Sequence, residues 1–207
     1  MGWMKPGGSD WRYLYVPFDT DTIGPLDEWL KYDARKRKQT KIVSASATAN
    51  QKTRFQNMVA NGSLQADLSN VPAHVPVYVI AHGNQGLDYI ADQSMTHKMD
   101  ANKLAENMST LKKSHKVIKL FLCNVGLDLL RGQQEFGYEF WKTMHAKEYD
   151  ALWVACYLGI TVNAGSPFGG GKQVIDEDAW HRASRKRIFI APDGTIYKPS
   201  DNLPDLL

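Results

Sequence analysis

The chain has 207 residues, 43% hydrophobic, 23% charged and 11% aromatic, with 16 Gly and 9 Pro, and this composition excludes a disordered chain. A net charge of +3 is too mild to argue for nucleic acid, so no nucleic-acid partner is expected. No run approaches the roughly 18 apolar residues of a membrane span, and Met1 to Asp10 lacks the apolar stretch of a signal peptide; the expectation is a protein made in the cytoplasm with no membrane span.

The length suits one domain over residues 1–207, divided into an N-terminal part with the first strands (1–70), a core (71–165) and a basic tail (180–200). Arg12 to Val16 (RYLYV) has strand content and is ended by Pro17. Pro25 to Lys31 reads as a short helix, Lys41 to Ala47 as a weak strand, and Gln51 to Ala60 as a helix ended by Asn61-Gly62. Val77 to Ala81 (VYVIA) is continuously apolar, as a strand covered on both faces would be.

Asp100 is the expected N-cap of a helix over Ala101 to Lys112, in which Leu104, Met108 and Leu111 recur at helical spacing. A second apolar strand, Val117 to Leu122, runs directly into Cys123. Gln134 to Lys147 carries Phe136, Phe140 and Met144 on one helical stripe, and Ala151 to Tyr157 reads as a third strand. Strand, helix, strand, helix, strand predicts an α/β fold: a mainly parallel central sheet with helices on both faces. Lys186 to Ala191 and Thr195 to Lys198 flank Pro192-Asp193-Gly194, which predicts a C-terminal β-hairpin.

Reacting groups in open α/β sheets gather beyond the carboxyl ends of the strands. His82 follows the VYVIA strand, with Gly83 after it, and Cys123 follows the next strand. If the two strands are neighbours, imidazole and thiol emerge at one edge, the arrangement of a cysteine nucleophile with a histidine base; Gly83 would let a substrate carbonyl approach the main chain. The plainer reading stands beside it: a cysteine ending a buried strand is often a small hydrophobe, and a histidine there a satisfied polar residue.

Cys156 lies inside its strand and reads as core. Two cysteines are too few for a disulfide framework. The other five histidines have no metal-ligand spacing with them, so neither a metal nor another cofactor is expected. Gly165 to Lys172 (GSPFGGGK) fails as a phosphate-binding loop, because Ser166 stands at the first glycine position and Gln173 follows the lysine; it reads as a flexible loop. Two basic clusters, Arg35 to Lys38 with Lys41, and Arg182 with Arg185, Lys186 and Arg187, read as solvated faces or as the frame of a polyanion pocket.

The His-Gly after an apolar strand, the DANKLA helix start at Asp100, the strand ending in Cys123 and the helix EFGYEF resemble, in order and spacing, the caspase-like cysteine peptidases. The similarity is greatest to the autoprocessing protease domains of large bacterial toxins (MARTX and clostridial glucosylating toxins) and related effector proteases. It covers about Tyr78 to Lys198. Leu122 stands where the toxin domains have a small glycine before the nucleophile.

The resemblance implies a caspase-like fold and a cysteine endopeptidase with Cys123 as nucleophile, His82 as base, and the backbone N–H groups of Gly83 and Cys123 as oxyanion donors. It implies a polypeptide substrate, possible self-cleavage, and delivery into a target-cell cytosol. It further implies that Arg182 to Lys198 is a β-flap binding inositol hexakisphosphate as an allosteric activator through Arg185, Lys186, Arg187 and Lys198, with Arg182 beside them. Two alternatives remain: a non-catalytic polyanion-binding or protein-interaction module, and a thiol-dependent acyltransferase sharing the same dyad.

Overall fold

A computed structural model describes residues 11–18, 39–44, 64–65, 67–92, 94–127, 129, 136–162, 173–176 and 179–201. Three short strands come first: β1 (Trp11–Tyr15), β2 (Gln39–Val43) and β3 (Leu64–Gln65). After β4 (Val77–Ile80) a small hairpin, β5 (Tyr89–Ala91) and β6 (Lys98–Asp100), leads into helix α1 (Ala101–Asn107). Then follow β7 (Val117–Phe121), helix α2 (Phe136–Ala146), β8 (Trp153–Tyr157), β9 (Ile160–Val162), β10 (Gln173–Asp176), β11 (Ala179–Arg182), β12 (Arg187–Ile190) and β13 (Ile196–Tyr197).

Eight strands form a central sheet in the order β13-β12-β8-β7-β4-β1-β2-β3. From β8 to β3 every pairing is parallel; β12 joins β8, and β13 joins β12, antiparallel. The expected α/β fold with a mainly parallel sheet is therefore present. The chain leaves β1 outward through β2 and β3, then returns to the other side of β1 as β4 and continues to β7 and β8. The strand order thus reverses between β1 and β4, the kind of position beside which open α/β sheets bind their ligands.

Side chains alternate across the sheet because the strand repeat is two residues. Tyr13, Val77, Val79, Ile118, Leu120, Val154, Cys156 and Ile188 face α1 and α2, which contribute Leu104, Ala105, Phe140 and Met144 to one core. Leu14, Val16, Ile42, Tyr78, Ile80, Phe121 and Tyr157 face the other way, onto Val174 of β10 and Ala183. Both described helices lie on the first face and pack on each other, with Thr143 Oγ1 2.5 Å from Asn102 Oδ1. The expected helices at Pro25 to Lys31 and Gln51 to Ala60 lie outside the described residues, as do the loop at Gly165 to Lys172 and the basic run Arg35 to Lys38.

Several boundaries differ from the periodicity. Helix α1 stops at Asn107, not Lys112: Ser109 N–H bonds back to Glu106 O, and Thr110 turns its hydroxyl out to accept from Leu68 N–H at 3.1 Å. Leu111 is still buried, so its place in the apolar stripe survives without the helix. Strand β8 starts at Trp153 rather than Ala151, because Leu152 N–H is held by Tyr149 O in the turn that follows α2.

The tail is divided differently from the expected flap. Its hairpin exists, turning at Gly194 with φ +84°, a left-handed conformation glycine adopts without strain. Strand β12, however, belongs to the central sheet, whereas Arg182 ends β11 in a separate antiparallel sheet, β11-β10-β9, which no sequence pattern indicated. Alternation is weak in such short strands, and burial by the larger sheet, absent from any local window, is what holds them. No helix among the described residues is long and apolar enough to cross a membrane.

Candidate active site

The register of β4 on β7 pairs Ile80 with Phe121, so two residues further along each parallel strand His82 comes level with Cys123. The alternation persists past the strand ends. A Cβ built on Gly83 would point at Leu122 and Val125, which belong to the helix-covered core. His82 and Cys123 therefore share the opposite face, at the sheet's carboxyl edge, one strand from the order reversal. Neighbouring strands lie about 4.8 Å apart, so the register places the two residues on adjacent strand ends of one face.

Each reactive residue is held by its backbone. His82 and Ala91 exchange two N–H to carbonyl bonds, both 2.9 Å, which tie the residue to β5. Immediately after Ala91, the fully buried carboxylate of Asp92 accepts from Thr96 N–H at 2.9 Å and His97 N–H at 3.2 Å, from the Ser94 hydroxyl at 3.0 Å, and lies 2.8 Å from His97 Nδ1. This closes the β5–β6 hairpin beside His82, a positioning role that no local pattern marks.

On the other strand, Asn124 takes a left-handed φ of 59°, a conformation asparagine tolerates better than most residues. The chain turns at once after Cys123. Asn124 N–H donates to Gly159 O at 2.9 Å, Gly126 N–H to Tyr157 O at 2.8 Å, and the Asn124 side-chain amide to Asn84 Oδ1 at 3.3 Å. The last bond joins the two loops.

The amide of Asn124 is thus consumed within the fold, while those of Gly83 and Cys123 have no backbone acceptor among the described residues. The glycine also has a packing reason: a Cβ there would lie 2.9 Å from Val125 Cγ2 and 3.2 Å from Cys123 O. Both cysteines are free thiols. Cys123 is half-buried, and its hydrogen-bond partner among the described residues is Thr161 Oγ1 at 3.7 Å, not the His82 imidazole. Cys156 is fully buried under Gly137 of α2, and burial pushes its thiol up to about 12.

The basic residues are only partly gathered. Arg182 and Arg185 are exposed around the short 3₁₀ turn Ala183–Arg185, and Lys186 and Arg187 follow it. Arg187 lies beside the buried Tyr157 hydroxyl and stacks its guanidinium 4.9 Å over the Phe189 ring, while its buried Nε has no partner among the described residues. Burial raises the Tyr157 hydroxyl above its ordinary range, and the adjacent Arg187 works against that. Lys198 follows β13 on the sheet's edge, its N–H held by Asp201. No protein-family model matches the chain, and no curated protein matches it.

Proposed function

We propose that the protein is a cysteine endopeptidase of caspase-like fold, of the bacterial toxin or effector type. The observation that carries this reading is the level placement of His82 and Cys123 at the carboxyl ends of adjacent parallel strands. The Cys123 sulfur, as thiolate, attacks the scissile carbonyl carbon, and the resulting oxyanion is held by the N–H groups of Gly83 and Cys123. Protonated His82 gives its proton to the departing amine as the C–N bond breaks. Water then attacks the thioester, passing one proton to neutral His82 as its hydroxyl joins the acyl carbon, and the C–S bond breaks to release the carboxylic acid and the Cys123 thiolate, restoring the starting protonation states. A long His–Cys separation is compatible with the dyad, since such hydrogen bonds often tighten only in the Michaelis complex.

In this reading the second face of the sheet also carries helices, and inositol hexakisphosphate is the activator, bound by Arg182, Arg185, Lys186 and Arg187 with Lys198. Many converging cations suit a densely phosphorylated ring. Delivery to a target-cell cytosol belongs to the same proposal. The test is mass spectrometry after incubation with and without inositol hexakisphosphate. New termini from the wild type, absent in Cys123→Ala and His82→Ala, are expected; cleavage that persists in Cys123→Ala overturns the reading.

A second reading, a non-catalytic polyanion-binding module, is favoured by the thiol's contact with Thr161 in place of His82. It predicts no labelling of Cys123 by a peptidyl electrophile.

A further inference from the structure

Cys123 lies between two elements. On the β4 side the level residue is His82, and on the other side the chain from β8 turns through Gly159 into β9, bringing Thr161 Oγ1 to 3.7 Å from the sulfur. Gly159 is clamped: a Cβ there would lie 2.5 Å from both Ile175 O and Val174 Cγ1, so β10 fixes where β9 runs. Thr161 pairs with Val174 in that ladder, and Asn124 N–H holds Gly159 O from the opposite side. The hydroxyl is thus set by two backbone anchors. It has no other hydrogen-bond partner among the described residues.

We infer that Thr161 is a positioning residue whose hydroxyl donates to the Cys123 thiolate, holding the sulfur at the sheet's carboxyl edge and favouring its ionised form. This rests on the reading of Cys123 as a nucleophile. A hydroxyl is a donor able to stabilise a sulfur anion, and bonds to charged groups are stronger than neutral ones. The thiolate then does not depend on His82 alone, which leaves the imidazole free to serve the leaving group.

The experiment is the pH profile of Cys123 alkylation by iodoacetamide, followed by peptide mass spectrometry in the full chain. Thr161→Val is expected to raise the midpoint by about one pH unit, a tenfold smaller thiolate fraction at neutral pH, and Thr161→Ser to restore it. Each profile is repeated in a His82→Ala background, where the Thr161 effect should persist. Thr161→Ala gives the same reading if the valine variant does not fold.

An unchanged or lowered midpoint in a folded valine or alanine variant, or a folded serine variant that behaves like valine, overturns the inference. Alkylation needs no peptidase activity, so its outcome is separate from that of the cleavage test. A raised midpoint with cleavage retained in Cys123→Ala would overturn Cys123 as the peptidase nucleophile and leave standing only the hydrogen bond from Thr161 to its sulfur.

Discussion

Gly83 approaches Cys123 so closely that a Cβ on it would lie 3.2 Å from the Cys123 carbonyl oxygen and 3.1 Å from Leu122 Cβ. Backbone and a strand-borne Cβ cannot swing aside as a long side chain can. Gly83→Ala should therefore push the two strand ends apart, costing about 1–3 kcal/mol of stability by overpacking and shifting His82 relative to Cys123. Thermal melting together with the rate of Cys123 alkylation checks this. A variant with wild-type melting and wild-type reactivity would show that the close approach matters to neither.

The two thiols should differ sharply in reactivity. With burial raising its thiol to about 12, Cys156 has only about one part in ten thousand as thiolate at pH 8, and it lies under Gly137, where even a Cβ would come 2.6 Å from its sulfur. Iodoacetamide applied to the native protein should modify Cys123 alone, and Cys156 only after denaturation. Native labelling of both at similar rates would contradict the packing of α2 on β8.

His115 is fully buried, its Nε2–H donating to Val117 O at 3.0 Å and its Nδ1 without a partner. Burial lowers its pKa from 6.5 to about 4, with the Val117 hydrogen bond opposing and the nearby His74 adding to the effect. The depressed value means that the folded state resists a proton the unfolded chain accepts. The neutral ring's contribution is fully present above pH 6.5 and is lost as the pH falls toward 4, a loss of about 3 kcal/mol across that window. Urea unfolding at several pH values should show this slope, and His115→Gln should flatten it. An equal slope in the variant would assign it to other groups.

The seven-residue helix α1 depends on its first turn, where the Asp100 carboxylate accepts from Lys103 N–H at 2.7 Å. Asp100→Ala should cost about 1 kcal/mol, and Asp100→Asn much less, because asparagine offers the same acceptor. Denaturant midpoints compare the three proteins. Equal losses for Ala and Asn would place the effect in the charge or in the β6 ladder rather than in the cap.

Much of this was written in local sequence. The apolar runs around Val79, Leu120 and Ala155 specify strands buried on both faces, Asp100 marks a helix start, and Pro192-Asp193-Gly194 marks the final turn. Each depends on contacts within a few residues, which a sequence window contains. The end of α1 was not legible, because Thr110 is drawn away by Leu68, 42 positions distant. The small sheet of β9, β10 and β11 was missed for a related reason: its short strands exist through burial of Val174 against the larger sheet, and that burial is a property of the assembled fold.

The candidate site divides along the same line. Adjacency along the chain is enough to place an imidazole and a thiol each directly after an apolar strand. The direct pairing of the two strands in the register that sets His82 level with Cys123, the lock that Asp92 places on the hairpin holding His82, and the position of Thr161 beside the sulfur all arise in the assembled fold. Register and cross-strand neighbours are chosen by which faces must be buried together, a balance struck over the whole core that no single segment encodes.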